Sequence, residues 1–234
     1  MLFLPAIICG ENNPLKKRPM NFKGVIFDLD GTLLDTLDDL TDAVNAVMKT
    51  CNFPVHDRHA VRSFVGSGIR TLMKRAIPED ERTAEMTDRC FAGMMAVYRE
   101  NYKNKTMPYA GITDLLDALS ERNIPMAVFS NKADELTKKL TGALLPYQFV
   151  CVQGMTTEAL KKPNPTVALE LAGKMGLKPE ECLYVGDSDT DMQTANNAGM
   201  YALGVSWGFR DRDDLIAAGA KELIDEPLAI LEMF

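Results

Sequence analysis

The stretch Asp28-Leu29-Asp30-Gly31-Thr32-Leu33-Leu34-Asp35-Thr36 concentrates carboxylates where chemistry can be done with them. Residues two apart on an extended chain project to the same side, so Asp28 and Asp30 form a pair. Carboxylates that close repel, and need a cation between them or a shared proton. Gly31 lets the backbone turn and approach a ligand closely. Further on, Ser130-Asn131-Lys132 offers a hydroxyl, an amide and free backbone N–H groups, expected at a helix start, where anions bind. Lys161-Lys162-Pro163-Asn164-Pro165 sets ammonium groups in a loop stiffened by two prolines, suited to neutralising a phosphate or a phosphorylated carboxylate. Gly186-Asp187-Ser188-Asp189-Thr190-Asp191 puts Asp187 and Asp191 one helical turn apart on one face. Hard oxygen donors with no Cys or His cluster point to Mg²⁺ rather than zinc.

Each of these has a bland counterpart: an acidic turn, a helix cap, a solvated basic loop, an acidic helix start. Their placement argues against the bland readings taken together. Carboxylates, a metal, anion donors and a lysine are the parts needed for phosphoryl transfer, and all four groups fall just after, or between, predicted strands.

The elements that must position them follow from the apolar pattern. Gly24-Val25-Ile26-Phe27 is a short run of β-formers ending in polar residues, a buried parallel strand entering a loop. From residue 38 to residue 102 no strand-like run occurs. Leu40, Ala43, Val44, Val47 and Met48 share one face of a helix over 39–49; Pro54 breaks it, Val65-Gly66-Ser67-Gly68 is a flexible loop, and 81–102 is another long helix. After Gly111 helices alternate with strands: helices over 112–122, 134–145, 166–175 and 190–198, strands over 125–129, 148–152, 182–185 and 201–205. That alternation predicts an α/β fold, a doubly wound parallel sheet. Ligands then bind beyond the carboxyl ends of the strands, where the four groups lie. The predicted division is residues 21–37 and 106–234 as the α/β core, 38–105 as a helical insertion, and 1–20 as a disordered extension or artefactual start ahead of Met20.

Composition sets the outer limits. The chain has 234 residues, 46% hydrophobic and 25% charged, an ordinary globular balance. Its 26 Lys and Arg against 33 Asp and Glu give a net charge of −7, without the basic footprint of a nucleic-acid binder. An anionic ligand must therefore be held by local cations or a metal. The five cysteines are scattered and form no C-x-x-C pair, which fits a reducing cytoplasm rather than a disulfide framework. The apolar run at residues 1–10 is too short to span a bilayer and lacks a basic region ahead of it, so no membrane association is expected.

With these residues in place, the chain resembles the haloacid dehalogenase-like superfamily of phosphohydrolases. Asp28-Leu29-Asp30-Gly31-Thr32, then Ser130 with Asn131, then Lys162, then Gly186-Asp187-Ser188 through Asp191 match its four motifs in order, over residues 22 to the carboxyl end. An α-helical cap inserted between the first and second motifs resembles the phosphoglycolate-phosphatase-like branch, and Val65-Gly66-Ser67-Gly68-Ile69-Arg70 is similar to that branch's substrate-facing loop. The resemblance implies that Asp28 attacks the phosphorus to form an aspartyl-phosphate and that Asp30 serves as acid and then base. It implies Mg²⁺ held by the Asp28 and Asp187 carboxylates and the Asp30 backbone carbonyl, with Asp191 orienting the metal shell. Ser130, the Asn131 N–H and Lys162 would cradle the phosphoryl oxygens, Lys162 being preferred over Lys161 because it directly precedes Pro163. The cap would close over the site about hinges at 35–38 and 103–109, with Gly66, Ser67 and Gly68 near substrate and Arg70 meeting a substrate carboxylate.

The expected partner is a small phosphorylated metabolite; monomer and homodimer stay open. A phosphosugar mutase and a pyrophosphatase use the same apparatus. A dehalogenase needs neither Asp30 nor the metal. A receiver-like phospho-acceptor carries its aspartate after the third strand and lacks a large helical cap. His56 and His59, three apart, read as solvated or capping residues, the cap methionines as core filling, and Trp207-Gly208-Phe209-Arg210 as a loop over the sheet edge.

Overall fold

The computed structural model describes residues 22–234, so the expectation for residues 1–20 lies outside the described residues. In chain order the first elements are β1 (Gly24–Phe27), β2 (Leu34–Asp35), α1 (Leu37–Thr50), α2 (Arg58–Phe64), α3 (Ile69–Ala76), α4 (Ala84–Asn101) and β3 (Met107–Pro108). Then follow α5 (Ile112–Glu121), β4 (Met126–Ala133), α6 (Asp134–Leu144), β5 (Cys151–Met155) and α7 (Thr166–Lys174). The chain ends with β6 (Cys182–Gly186), α8 (Asp189–Ala198), β7 (Tyr201–Val205), α9 (Arg212–Ala217) and β8 (Glu222–Ile224).

Six strands form one parallel sheet in the order β5-β4-β1-β6-β7-β8. A parallel sheet has helices on both faces, so its central strands are apolar throughout, and β1 is buried along its whole length. Alternation divides it. Val25 and Phe27 pack with Val128, Leu183 and the α5 residues Leu115 and Leu119 on one face, whereas Ile26 packs with Phe129, Tyr184 and the α7 residue Leu171 on the other. β1 has β4 on one side and β6 on the other. Strand order therefore turns around at β1, and the crevice beyond its carboxyl end is the ligand position of such sheets.

Helices α1 to α4 build a second core of their own, in which Val44, Val47 and Met48 of α1 meet Leu72 and Met73 of α3 and Met94 and Tyr98 of α4. The methionines Met73 and Met94 are fully buried there, as core filling requires. The two chain connections to this helical unit run side by side as the antiparallel ribbon β2–β3, Leu34 opposite Pro108 and Asp35 opposite Met107. Buried Asp39 in α1 accepts hydrogen bonds from the backbone N–H groups of Lys105 and Thr106 and from the Thr106 hydroxyl, tying the return connection down.

Two strands differ from the sequence expectation. β4 runs on through Ser130-Asn131-Lys132 to Ala133, with an irregular register against β5 after Phe129, so these residues end a strand and do not begin a helix. The strand expected over 148–152 is formed by Cys151–Met155, because Tyr147 and Phe149 use their apolar surface to pack against the core from the preceding loop. Two-residue β2 and β3 and the short α2, α3, α9 and β8 are too brief to leave a periodic signal.

Candidate active site

Asp28 follows β1 directly, and its backbone N–H donates to the Val185 carbonyl of β6 at 2.9 Å, so the carboxylate is fixed by the sheet itself. The chain then turns tightly: the Leu33 and Leu34 N–H groups both return to the Leu29 carbonyl, at 3.0 and 2.9 Å. Gly31 sits in that turn at φ +88°, and a β-carbon there would run into the Asp187 carboxylate. Gly208, from the loop after β7, and Gly186, at the end of β6, likewise leave room for the carboxylates of Asp187 and Asp191.

Asp187 is fully buried at the end of β6. Its carboxylate accepts from the Thr32 hydroxyl at 3.0 Å and from the Phe209 N–H at 2.7 Å. The Trp207 indole N–H donates to the Thr32 carbonyl at 3.0 Å, so the Trp207-Gly208-Phe209 loop, which sequence reasoning left without a role, holds the first loop and Asp187 together. Asp191 lies in the first turn of α8, where it caps the helix by accepting from the Ser188 N–H at 3.1 Å. Lys162 reaches between strands, 2.6 Å from Asp191 and 2.8 Å from Asp28. The Asp28 contact is an ion pair without hydrogen-bond geometry, and Asp28 Oδ1 is buried with no donor aimed at it. Lys161, its neighbour, pairs instead with Glu158 on the surface.

Carboxylate oxygens of Asp28, Asp187 and Asp191 lie within 4.8 Å of one another. Burial, and after it the Asp191 charge, raises the Asp28 carboxyl well above the usual carboxylate range, against the pull of Lys162. Burial and then Asp191 push Asp187 up to about 7, against the Phe209 and Thr32 hydrogen bonds. Burial works against charge on Lys162, yet Asp191 and Asp28 hold its ammonium firmly protonated. Three buried carboxylates thus face one ammonium, and one of their oxygens lacks a donor. This is an oxygen-rich, under-neutralised pocket of the kind a hard divalent cation fits.

Asp30 faces the same cavity but has separate company. The buried Lys132 ammonium donates to its two carboxylate oxygens at 2.9 and 3.2 Å, and to the Tyr98 hydroxyl of α4 at 2.8 Å. Burial, opposed by Lys132, pushes the Tyr98 phenol up to about 12, so it stays protonated. Sequence reasoning missed this pair. Lys132 stood in view beside Asn131, and alternation along β4 gives it the side of Ser130; Tyr98 showed only helical spacing.

The cavity at these residues measures about 40 Å³ and is floored by Asp28, Asp30, Ser130, Asn131 and Lys132. Leu40, Val65, Ile69 and Leu72 roof it together with Gly66 and Gly68. The Asn131 amide does not point into it: it donates to the Gly66 and Lys162 carbonyls and accepts from the Lys162 N–H at 2.8 Å, clamping the helical unit's loop to the lysine loop. Ser67 is not among the cavity's lining residues. Arg70, expected at a substrate carboxylate, is turned away, ion-paired with Asp88 and lying over the Phe91 ring. The structure thus brings together Asp28, Asp30, Ser130, Asn131, Lys162, Asp187 and Asp191, and leaves Arg70 outside.

Comparison with known proteins matches this arrangement. The family profile described as haloacid dehalogenase-like hydrolase covers residues 25–205. A Chromobacterium violaceum protein named phosphoglycolate phosphatase is 35% identical over 214 residues, spanning 88% of this chain and 96% of its own. One of the same name from Aquifex aeolicus is 32% identical over 190 residues, 79% of this chain and 85% of its own. A crystal structure from Lactobacillus delbrueckii subsp. bulgaricus, provisionally assigned as a phosphoglycolate phosphatase, superposes with a TM-score of 0.85 at 31% identity, covering 91% of this chain and 98% of its own.

Proposed function

The chain belongs to the haloacid dehalogenase-like hydrolases, in their phosphoglycolate-phosphatase-like branch, and from that premise we propose that this phosphoric monoester hydrolase acts on a small carboxylated phosphate ester of the phosphoglycolate kind. The observation that carries the reading is Asp28 Oδ1: a buried carboxylate oxygen with no hydrogen-bond donor, on a residue that lines a cavity beside Asp30 and Ser130. That oxygen, met only by the Lys162 ammonium at 2.8 Å, keeps a lone pair available to attack.

The steps follow from where the side chains stand. An Asp28 oxygen attacks phosphorus while the bond from phosphorus to the ester oxygen breaks. Asp30 delivers its proton to the departing alkoxide, which leaves as the alcohol. Asp30 then takes a proton from water as that water attacks the aspartyl-phosphate, phosphate departs, and Asp28 and the protonated Asp30 are restored. Lys162, the Ser130 hydroxyl and the Asn131 N–H meet the phosphoryl oxygens. Asp28 and Asp187 would hold Mg²⁺ with the Asp30 carbonyl, and Asp191, occupied by Lys162, would steady that set; the ion supplies the positive charge that lets an anionic nucleophile approach an anionic phosphate. Helices α1 to α4 act as the cap, whose apolar roof excludes water from the cavity.

No helix among the described residues is long and apolar enough to cross a membrane; the reading places the enzyme in the cytoplasm, in keeping with its scattered cysteines. The test is phosphate release from a panel of small phosphate esters and pyrophosphate, with Mg²⁺ and with a chelator, beside the Asp28→Asn protein. Release from a narrow set including 2-phosphoglycolate, dependent on Mg²⁺ and on Asp28, is the expected result. Interconversion of sugar phosphates without net release would assign a mutase instead.

A further inference from the structure

Among the residues lining the catalytic cavity, Lys132 is the one cation. It is not free for a ligand. An ammonium has three donors, and here they meet Asp30 Oδ1 and Oδ2 at 2.9 and 3.2 Å and Tyr98 Oη at 2.8 Å. Its side chain is 2% exposed, against 14% for Asp30. A lysine buried this deeply costs stability unless its partners are fixed, and both are: Asp30 by the turn after β1, Tyr98 by the core of the helical unit, where it is fully buried.

The geometry points to Lys132 as the positioning residue for Asp30, itself held in register by Tyr98 of α4, so that proton delivery to the leaving group depends on the helical unit being seated. This rests on the phosphatase reading above and deepens it. Ammonium contacts to both oxygens hold the Asp30 carboxyl in one orientation, beside Asp28 and facing the cavity where the leaving-group oxygen must sit. Tyr98 keeps the lysine from swinging away, because its hydroxyl occupies the third donor. If α4 moves off the core, that bond breaks and Lys132 loses one of its two anchors. The sheet and the helical unit are thus joined through the acid itself.

The experiment compares kcat/KM on an alkyl ester, 2-phosphoglycolate, with that on p-nitrophenyl phosphate, whose phenolate leaves without needing a proton. This ratio reports only steps through the departure of the leaving group. Lys132→Met is expected to lower kcat/KM on the alkyl ester ~30-fold or more and on the aryl ester less than ~3-fold, part of the ~10²–10⁴-fold that a general acid typically contributes. Lys132→Arg should restore part of the alkyl activity. Tyr98→Phe, which keeps the packing, should cost ~3–10-fold on the alkyl ester alone. In an Asp30→Asn background Lys132→Met should cost nothing further, since it acts through Asp30.

Equal losses on the two esters, or full additivity with Asp30→Asn, would overturn the assignment in favour of a structural or phosphate-binding lysine. Should Lys132→Met fail to fold, Tyr98→Phe decides: an unchanged alkyl-to-aryl ratio rejects the coupling. Wild-type turnover abolished by Asp28→Asn secures the phosphatase reading whichever way these go, and no wild-type turnover on either ester sinks both.

Discussion

Lys161 and Lys162 are chain neighbours in opposite surroundings, and their difference is measurable. Lys162 is 1% exposed between two buried carboxylates. Removing the cation leaves Asp28 and Asp191 without compensation, so Lys162→Met should destabilise by ~3–5 kcal/mol, offset where the carboxyls take up protons. It should also cost ~10²–10³-fold in kcat, the typical loss of a charge-stabilising donor. Lys161 makes an exposed pair with Glu158, and Lys161→Met should change stability by less than ~1 kcal/mol and leave turnover intact. Denaturant melts and steady-state rates on the two variants check both; activity lost with Lys161→Met instead would reverse the assignment. At this scale the sequence was most legible where residue type alone limits the role. Aspartates after an apolar strand, and a lysine before proline, have few structural uses together. Lys132 and Tyr98 were illegible because their meaning is a contact between distant segments, and Arg70 misled because a short helix can turn its arginine to either side.

The elements show why the helical unit holds its place over the sheet. Its connections are the two-residue strands β2 and β3, too short to bear load by their own ladder. Asp39, 2% exposed in α1, makes up for that by accepting from Lys105 and Thr106. Asp39→Ala orphans two N–H groups and a hydroxyl, and hydrogen bonds to charged groups are worth roughly 1.5–3 kcal/mol each. The expected cost is on the order of 3 kcal/mol, with protease cleavage near residues 103–106 appearing before global unfolding. A variant as resistant and as stable as the parent would show that this tie does not hold the return connection. Long elements such as α1, α4 and β7 could be read from periodicity. β2, β3 and Asp39 could not, since a two-residue ribbon has no period and a buried acid in a helix looks like any surface acid.

The whole molecule carries a net charge of −7, so its overall field repels an anionic ester and binding falls to the few charges in the crevice. Under the proposed function Mg²⁺ would be the largest of these, and its linkage to pH would follow from Asp187. Burial and Asp191 raise that carboxyl from an ordinary 3.8 to about 7 in the metal-free fold. A carboxyl with a raised folded value binds protons more tightly folded than unfolded. Its contribution to stability is therefore fully present below about 3.8 and is lost as pH rises through about 7. A cation replaces that proton, and competition from the proton weakens binding throughout the same window. Mg²⁺ should thus raise the melting temperature little near pH ~5.5 and markedly near pH ~8. Chelator should lower the melting temperature at the higher pH and barely alter it at the lower. Asp187→Asn, which carries no charge at either pH, should lose most of the Mg²⁺ increment and its pH dependence together. Thermal melts with Mg²⁺ and with chelator across this range decide it, and an increment of equal size at both ends would mean that Asp187 does not exchange its proton for the metal.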